Sequence, residues 1–126
     1  MTKRELISSN TLWEKEFAYS RVVKYGNVIE VAGTTAVDEN GNIVGECAKE
    51  QAEYIFKKID TYLQEVKAGL IDVVRTRMYI TDAAFAEEVG KVHGEYFKYT
   101  KPASTMVVAA LINKNLLVEI EVTAVI

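Results

Sequence analysis

Four residue types occur once each in this chain: Cys47, Pro102, Trp13 and His93. A lone Cys47 can form neither an intramolecular disulfide nor a cysteine metal cluster, and its place just before a helical pattern marks it as a small, partly buried residue. With one proline and no Pro/Gly-rich linker, internal repeat or low-complexity tract, nothing divides the 126 residues, which suit one domain with its own core. No apolar run approaches the roughly 20 residues that span a bilayer. The start Met1-Thr2-Lys3-Arg4-Glu5 lacks the apolar stretch of a signal peptide, so a reduced, cytoplasmic protein without a membrane partner is expected. Positive charge is also short: 15 Lys and Arg against 18 Asp and Glu give a formal −3, with no basic stripe for phosphates, which argues against a nucleic-acid partner. There is no HExxH, Walker loop, GxGxxG or Cys/His ligand spacing, so neither a metal nor a nucleotide cofactor is expected.

What the chain does contain is strong periodicity. Two β-rich stretches between Tyr19 and Gly33 flank the turn Tyr25-Gly26-Asn27, predicting a first hairpin. Asn40-Gly41 predicts a second, between Thr35-Val37 and Ile43-Val44. From Ala48 to Lys67 apolar residues recur at three- and four-residue steps, predicting an amphipathic helix closed near Gly69. Val73 to Thr81 alternates as a strand, with Val74, Thr76, Met78 and Ile80 on one side and Arg75, Arg77, Tyr79 and Thr81 on the other. Thr81-Asp82 caps a second helix to about Tyr99, with Phe85, Val89, Val92 and Tyr96 on its core stripe. Gly90 and Gly94 share another stripe with Ala86 and Phe97, reflecting either close backbone contact or simple tolerance. Strands at about 105–112 and 117–126 close the chain as a hairpin around Asn113-Lys114-Asn115.

Two helices cover one face of such a sheet. In the last strand Val118, Ile120, Val122, Ala124 and Ile126 belong under them, while Leu117, Glu119, Glu121, Thr123 and Val125 point away, on the side of Arg75 and Arg77. That half-apolar, charge-mixed face either meets water or packs on copies of itself.

Pro102-Ala103-Ser104-Thr105 and Val118-Glu119-Ile120-Glu121 are the most telling segments. They are joined, in order, by Gly26-Asn27, Ala32-Gly33, Ala52, Asp72-Val73-Val74 and Tyr79-Ile80-Thr81-Asp82. From Tyr19 to the last strand the chain resembles the reactive intermediate deaminase (Rid, YjgF-like) family. The resemblance implies an α+β, chorismate-mutase-like mixed sheet with two helices on one face. It also implies a homotrimer around a central barrel, with ligand clefts between subunits. The implied activity is cofactor-free hydrolysis of a small imine or enamine, in the manner of a 2-iminobutanoate/2-iminopropanoate deaminase.

By that resemblance Glu119 is the catalytic, water-positioning carboxylate, Tyr19 supplies a hydroxyl at the cleft, and Gly33 lets a ligand approach the main chain. The family Arg that grips a substrate carboxylate is replaced by Ser104, a frequent Ser by Ala32 and a frequent Asn by Gly90. The carboxylate anchor is therefore changed. Arg77 offers a substitute cation, or else Arg77 and Arg75 simply pair with Glu119 and Glu121. Ser104 and Thr105 either bond a ligand of different shape or finish a loop, and His93 is either a proton carrier or a packed residue. Two functions follow: a hydrolase or deaminase of a small imine, enamine or related carbonyl metabolite, or a non-catalytic protein that senses or sequesters a small metabolite in the same clefts.

Overall fold

Gly26, at φ 61°, and Asn27 reverse the chain between β2 (Val22–Tyr25) and β3 (Val28–Thr35), the hairpin expected from sequence. In this computed structural model, which describes residues 3–126, the two strands are joined on one side by β1 (Arg4–Ile7), antiparallel to β2. A short helix, α1 (Leu12–Phe17), lies between β1 and β2. Neither β1 nor α1 is visible as periodicity, because four and six residues are too few to show a repeat. The Thr11 side chain accepts from the Glu14 backbone N–H at the start of α1, and Ala18 ends it at φ 58°.

The expected hairpin at Asn40-Gly41 shrinks to a single bridge between Val37 and Ile43. Asp38 organises the loop instead, its carboxylate accepting from the N–H groups of Asn40 and Asn42 at 2.9 Å each. Helix α2 (Ala48–Gln64) then buries Ala48, Ala52, Ile55, Phe56, Ile59 and Leu63, the stripe read from sequence. It does not close on Gly69. Lys67 takes the left-handed position at φ 63°, with Ala68 N–H donating to Leu63 and Lys67 N–H to Gln64.

Strand β4 (Val73–Ile80) carries a bulge near its start: Val73 faces Ala124 and Arg75 faces Thr123. The extra residue turns Val73 inward and leaves Val74 exposed, against the simple alternation. Beyond β4 a 3-10 turn (Ala83–Phe85), capped by the Asp82 carboxylate, leads into α3 (Ala86–Phe97). Val89, Val92 and Phe97 of α3 are buried, with Phe85 and Tyr96 partly so. Phe97 thus belongs to the core stripe, and a Cβ at Gly90 or Gly94 would touch nothing within 4 Å, so neither glycine serves close packing within the protomer.

The last two strands, β5 (Ala103–Val108) and β6 (Val118–Val125), are not a hairpin. β5 runs parallel to β4 at the sheet edge, with α3 as the crossover that parallel strands require. β6 enters between β3 and β4, antiparallel to both, giving the order β1-β2-β3-β6-β4-β5. Ile29, Val31, Met78, Ile80, Val118, Ile120, Val122 and Ala124 meet α2 and α3 in one core. Each large aliphatic side chain buried there contributes roughly 1.5–3 kcal/mol. The opposite face holds Arg75, Arg77, Tyr79, Glu119, Glu121 and Thr123, all half-exposed.

Candidate functional site

Glu119 stands near the start of the central strand β6, between Thr35 of β3 and Tyr79 of β4. β3 is irregular here: Val31 pairs with Val122 and Thr34 with Ile120, so Ala32 and Gly33 form a bulge against β6. Into the space beside Gly33 comes the Glu119 carboxylate. A Cβ on Gly33 would lie 2.3 Å from its Oε2 and 3.0 Å from its Cδ. Any side chain at 33 must displace the carboxylate, so the glycine is a requirement of this site.

The carboxyl of Glu119 is raised above its ordinary range by burial and by Glu121, while the positive charge of Arg21 pulls it down. Arg21 is a site residue that sequence reasoning missed. Its backbone is held at both ends, N–H to Ile7 at 2.8 Å and C=O from Ala32 at 3.0 Å. Its Nη2 donates to the Gly33 carbonyl at 2.9 Å, and its guanidinium carbon lies 5.8 Å from the centre of the Tyr19 ring. Lys58 reaches the same end of β3 from α2, donating to the carbonyls of Thr35 and Val37 at 2.9 and 2.7 Å. Burial, with the nearby Arg21, lowers the Lys58 ammonium to about 8, against some support from Asp38. The one available signal for Arg21 was its place two residues after Tyr19; its partner Gly33, twelve residues on, becomes visible only with the bulge.

Tyr19 is 42% exposed and also borders a cavity of about 310 Å³, lined further by Ser8, Asn10, Thr11, Glu14 and Lys15. Glu14 there is structural. Burial pushes its carboxyl up, but hydrogen bonds from Ser9, Thr11 and Ser8 outweigh that and hold it below the ordinary value.

The structure brings Tyr19, Gly33 and Glu119 together with Arg21, and sets the other sequence candidates apart. Arg77 faces Glu121 in register, diagonal to Glu119. Among the described residues the one ion pair is Lys91–Glu87 at 3.3 Å, so neither Arg75 nor Arg77 pairs with Glu119 or Glu121 in the protomer. Glu121 instead accepts from the Tyr79 hydroxyl, and Arg75 donates to Thr105 Oγ1 at 2.6 Å.

Ser104 lies opposite Thr76, on the helix side of the sheet, whereas Thr105 lies opposite Arg77 on the Glu119 side. The buried Thr76 hydroxyl lies 2.8 Å from Ser104 Oγ and 2.8 Å from His93 Nε2. A hydroxyl has one proton, so the tautomer of His93 decides which of these two bonds Thr76 donates. Burial lowers His93, consistent with a neutral ring packed against Phe56 and Phe97. Among the described residues no group of three His, Cys, Asp or Glu is placed to hold a metal ion, and no helix is long and apolar enough to cross a membrane.

Comparison with known proteins agrees with this architecture. The family model described as Endoribonuclease L-PSP matches residues 12–126. A RutC family protein of Pyrococcus abyssi is 37% identical over 107 residues, 84% of each chain. The crystal structure of Rv2704 from Mycobacterium tuberculosis, a member of the YjgF/YER057c/UK114 family, superposes with a TM-score of 0.89 at 38% identity, covering 98% of this chain and 100% of that one. RidA from an Antarctic Psychrobacter superposes at 0.80 and 30% identity, over 86% and 88% of the two chains. By sequence and fold alike, the chain belongs to the Endoribonuclease L-PSP family, that of the RutC and YjgF/Rid proteins.

Proposed function

We propose that this protein is a homotrimeric, cofactor-free hydrolase of small imines or enamines, with Glu119 as the base that orients and deprotonates water. The observation that carries this reading is the Glu119 carboxylate seated against Gly33, half-buried and raised above its ordinary value by burial, which makes it a better base than a free carboxylate. Water attack forms the C–O bond while the C=N π pair moves to nitrogen. Glu119 takes the water proton and returns one to nitrogen, and collapse of the carbinolamine releases ammonia and leaves a carbonyl. The reaction consumes one water and needs no group beyond the chain. Tyr19 and Gly33 border the ligand, while Ser104, Thr105 and Arg77 lie where a neighbouring subunit completes the cleft.

Phosphodiester cleavage, which the family description names, fits this site less well. Among the described residues Arg21 is the one cation acting on the Glu119 carboxylate, and His93 is tied to Thr76 on the other side of the sheet.

The test is ammonia release from freshly generated 2-iminopropanoate and 2-iminobutanoate. Turnover is expected, falling by about 10²–10⁴-fold in Glu119→Ala with the assembly unchanged. No turnover in either the unaltered protein or Ser104→Arg, which restores the family's guanidinium, sinks the enzyme reading. It would leave the second one, a protein that senses or sequesters a metabolite, which the Thr76-bound Ser104 at the anchor position favours.

A further inference from the structure

One charged side chain at this site has donors to spare. Arg21 is held in place by its backbone bonds to Ile7 and Ala32 and by the single bond from Nη2 to the Gly33 carbonyl. Among the described residues its Nε is buried without an acceptor and Nη1 makes no hydrogen bond. A guanidinium carries five N–H donors in a planar fork; here Nε alone is buried and unmatched, while Nη1 is not sealed off and keeps its donors open to a ligand. Arg21 makes no ion pair with Glu119, although its charge is the cation that the Glu119 carboxyl feels. A fixed guanidinium and a half-buried carboxylate thus stand on either side of the Gly33 bulge, with the Tyr19 ring beside the guanidinium. The arrangement suits a small ligand with an anionic end beside the guanidinium and an electron-poor carbon toward the carboxylate.

We infer that Arg21 is the carboxylate anchor of the Glu119 site: it binds the anionic end of a 2-imino or 2-oxo acid and presents the adjacent carbon to the Glu119 side. The inference rests on the reading of the site proposed above and narrows its substrate class to 2-substituted carboxylates. It also moves the substitute-anchor role from Arg77 to Arg21. Arg77 lies opposite Glu121 in register and does not figure among the charges acting on Glu119, whereas Arg21 does. Ser104 is turned to the helix side and bonded to Thr76. Arg21 forms and breaks no covalent bond; it contributes a charge-assisted, two-point contact that a neutral ligand cannot return.

Calorimetric titration of pyruvate, and of neutral pyruvamide as its isostere, tests this in the intact protein. Arg21→Gln keeps a donor for the Gly33 carbonyl while removing the charge. It should weaken pyruvate binding at least tenfold and leave pyruvamide within twofold, with Arg21→Lys in between. Pyruvate binding within twofold of the unaltered protein in Arg21→Gln, or a loss in Arg77→Gln instead, overturns the assignment, as does an unaltered protein that binds pyruvate no better than pyruvamide. Should Arg21→Gln fail to fold, the unaltered protein labelled at its arginine nitrogens still decides: pyruvate must shift the Arg21 guanidinium signals, and unmoved signals end the proposal. Arg21-dependent binding without ammonia release would keep the anchor and discard the deaminase. Ammonia release undiminished in Arg21→Gln would do the reverse.

Discussion

At the scale of single residues, the site is built at the expense of stability, and Glu119 shows how. Burial, then Glu121, raise its carboxyl above the ordinary 4.5, with Arg21 acting against them. The folded chain therefore holds this proton to higher pH than the unfolded chain does. The stability contributed by the protonated group is complete below about pH 4.5 and is lost as the pH rises through the folded value. At pH 7 the ionised carboxylate is thus a net burden on the fold. Glu119→Gln should melt a few degrees higher than the unaltered protein at pH 7, the gap closing as the pH approaches 4, while turnover is lost. A lower melting temperature at pH 7, or a gap indifferent to pH, would contradict this. The placement of Glu119 on the helix-free side of β6 is legible in the sequence through alternation, and Gly33 and Tyr19 are singled out there by the Rid resemblance. Arg21 is not, because its role depends on a carbonyl brought near by a bulge, and no spacing rule encodes that contact.

Among the elements, the long patterns were read correctly and the irregular ones were not. The α2 stripe was visible because 17 residues repeat the helical period several times, whereas β1 and α1 are shorter than any repeat. Two apolar runs flanking a polar turn suggest a hairpin for the final pair. Pairing, however, is decided by which neighbours bury the strands, and β6 fills the middle of the sheet while β5 takes its edge. Gln51 ties these elements together. It is buried on the α2 stripe, its Nε2 donating to the carbonyls of Gly45 and Asn115 at 3.2 Å each and its Oε1 accepting from Leu117 N–H at 2.8 Å. Through Leu117 it fixes the entry of β6 two residues before Glu119. Gln51→Leu strands three backbone groups, and it should destabilise the fold by about 1–3 kcal/mol in urea unfolding. An unfolding midpoint equal to that of the unaltered protein would show that water satisfies those groups at no cost.

For the molecule as a whole, the question is what covers the surfaces that one chain leaves open. β5 is an edge strand whose outer hydrogen-bonding side is unpaired among the described residues, and it carries Val107 and Val108 at 42% and 56% exposure. Exposed edges that are apolar are sites of chain-to-chain pairing unless charge or a bulge blocks them, and β5 has neither. The same strand brings Ser104 and Thr105, proposed here to border the ligand, to the rim of the sheet, so a neighbour docked there would join them to a Glu119 site not its own. The helix-free face, with Arg75 and Arg77 near Glu119, Glu121 and Glu30, has the mixed charge of a surface able to meet copies of itself. The unaltered protein should therefore scatter light as three chains at micromolar concentration. Val107→Asp combined with Val108→Lys should release single chains that keep their helical circular dichroism and lose pyruvate binding. An assembly untouched by both charges would place the contact elsewhere than β5, whereas a stable lone subunit in the unaltered protein would mean that the cleft is complete within one chain and that Glu119 must work without help from a neighbour.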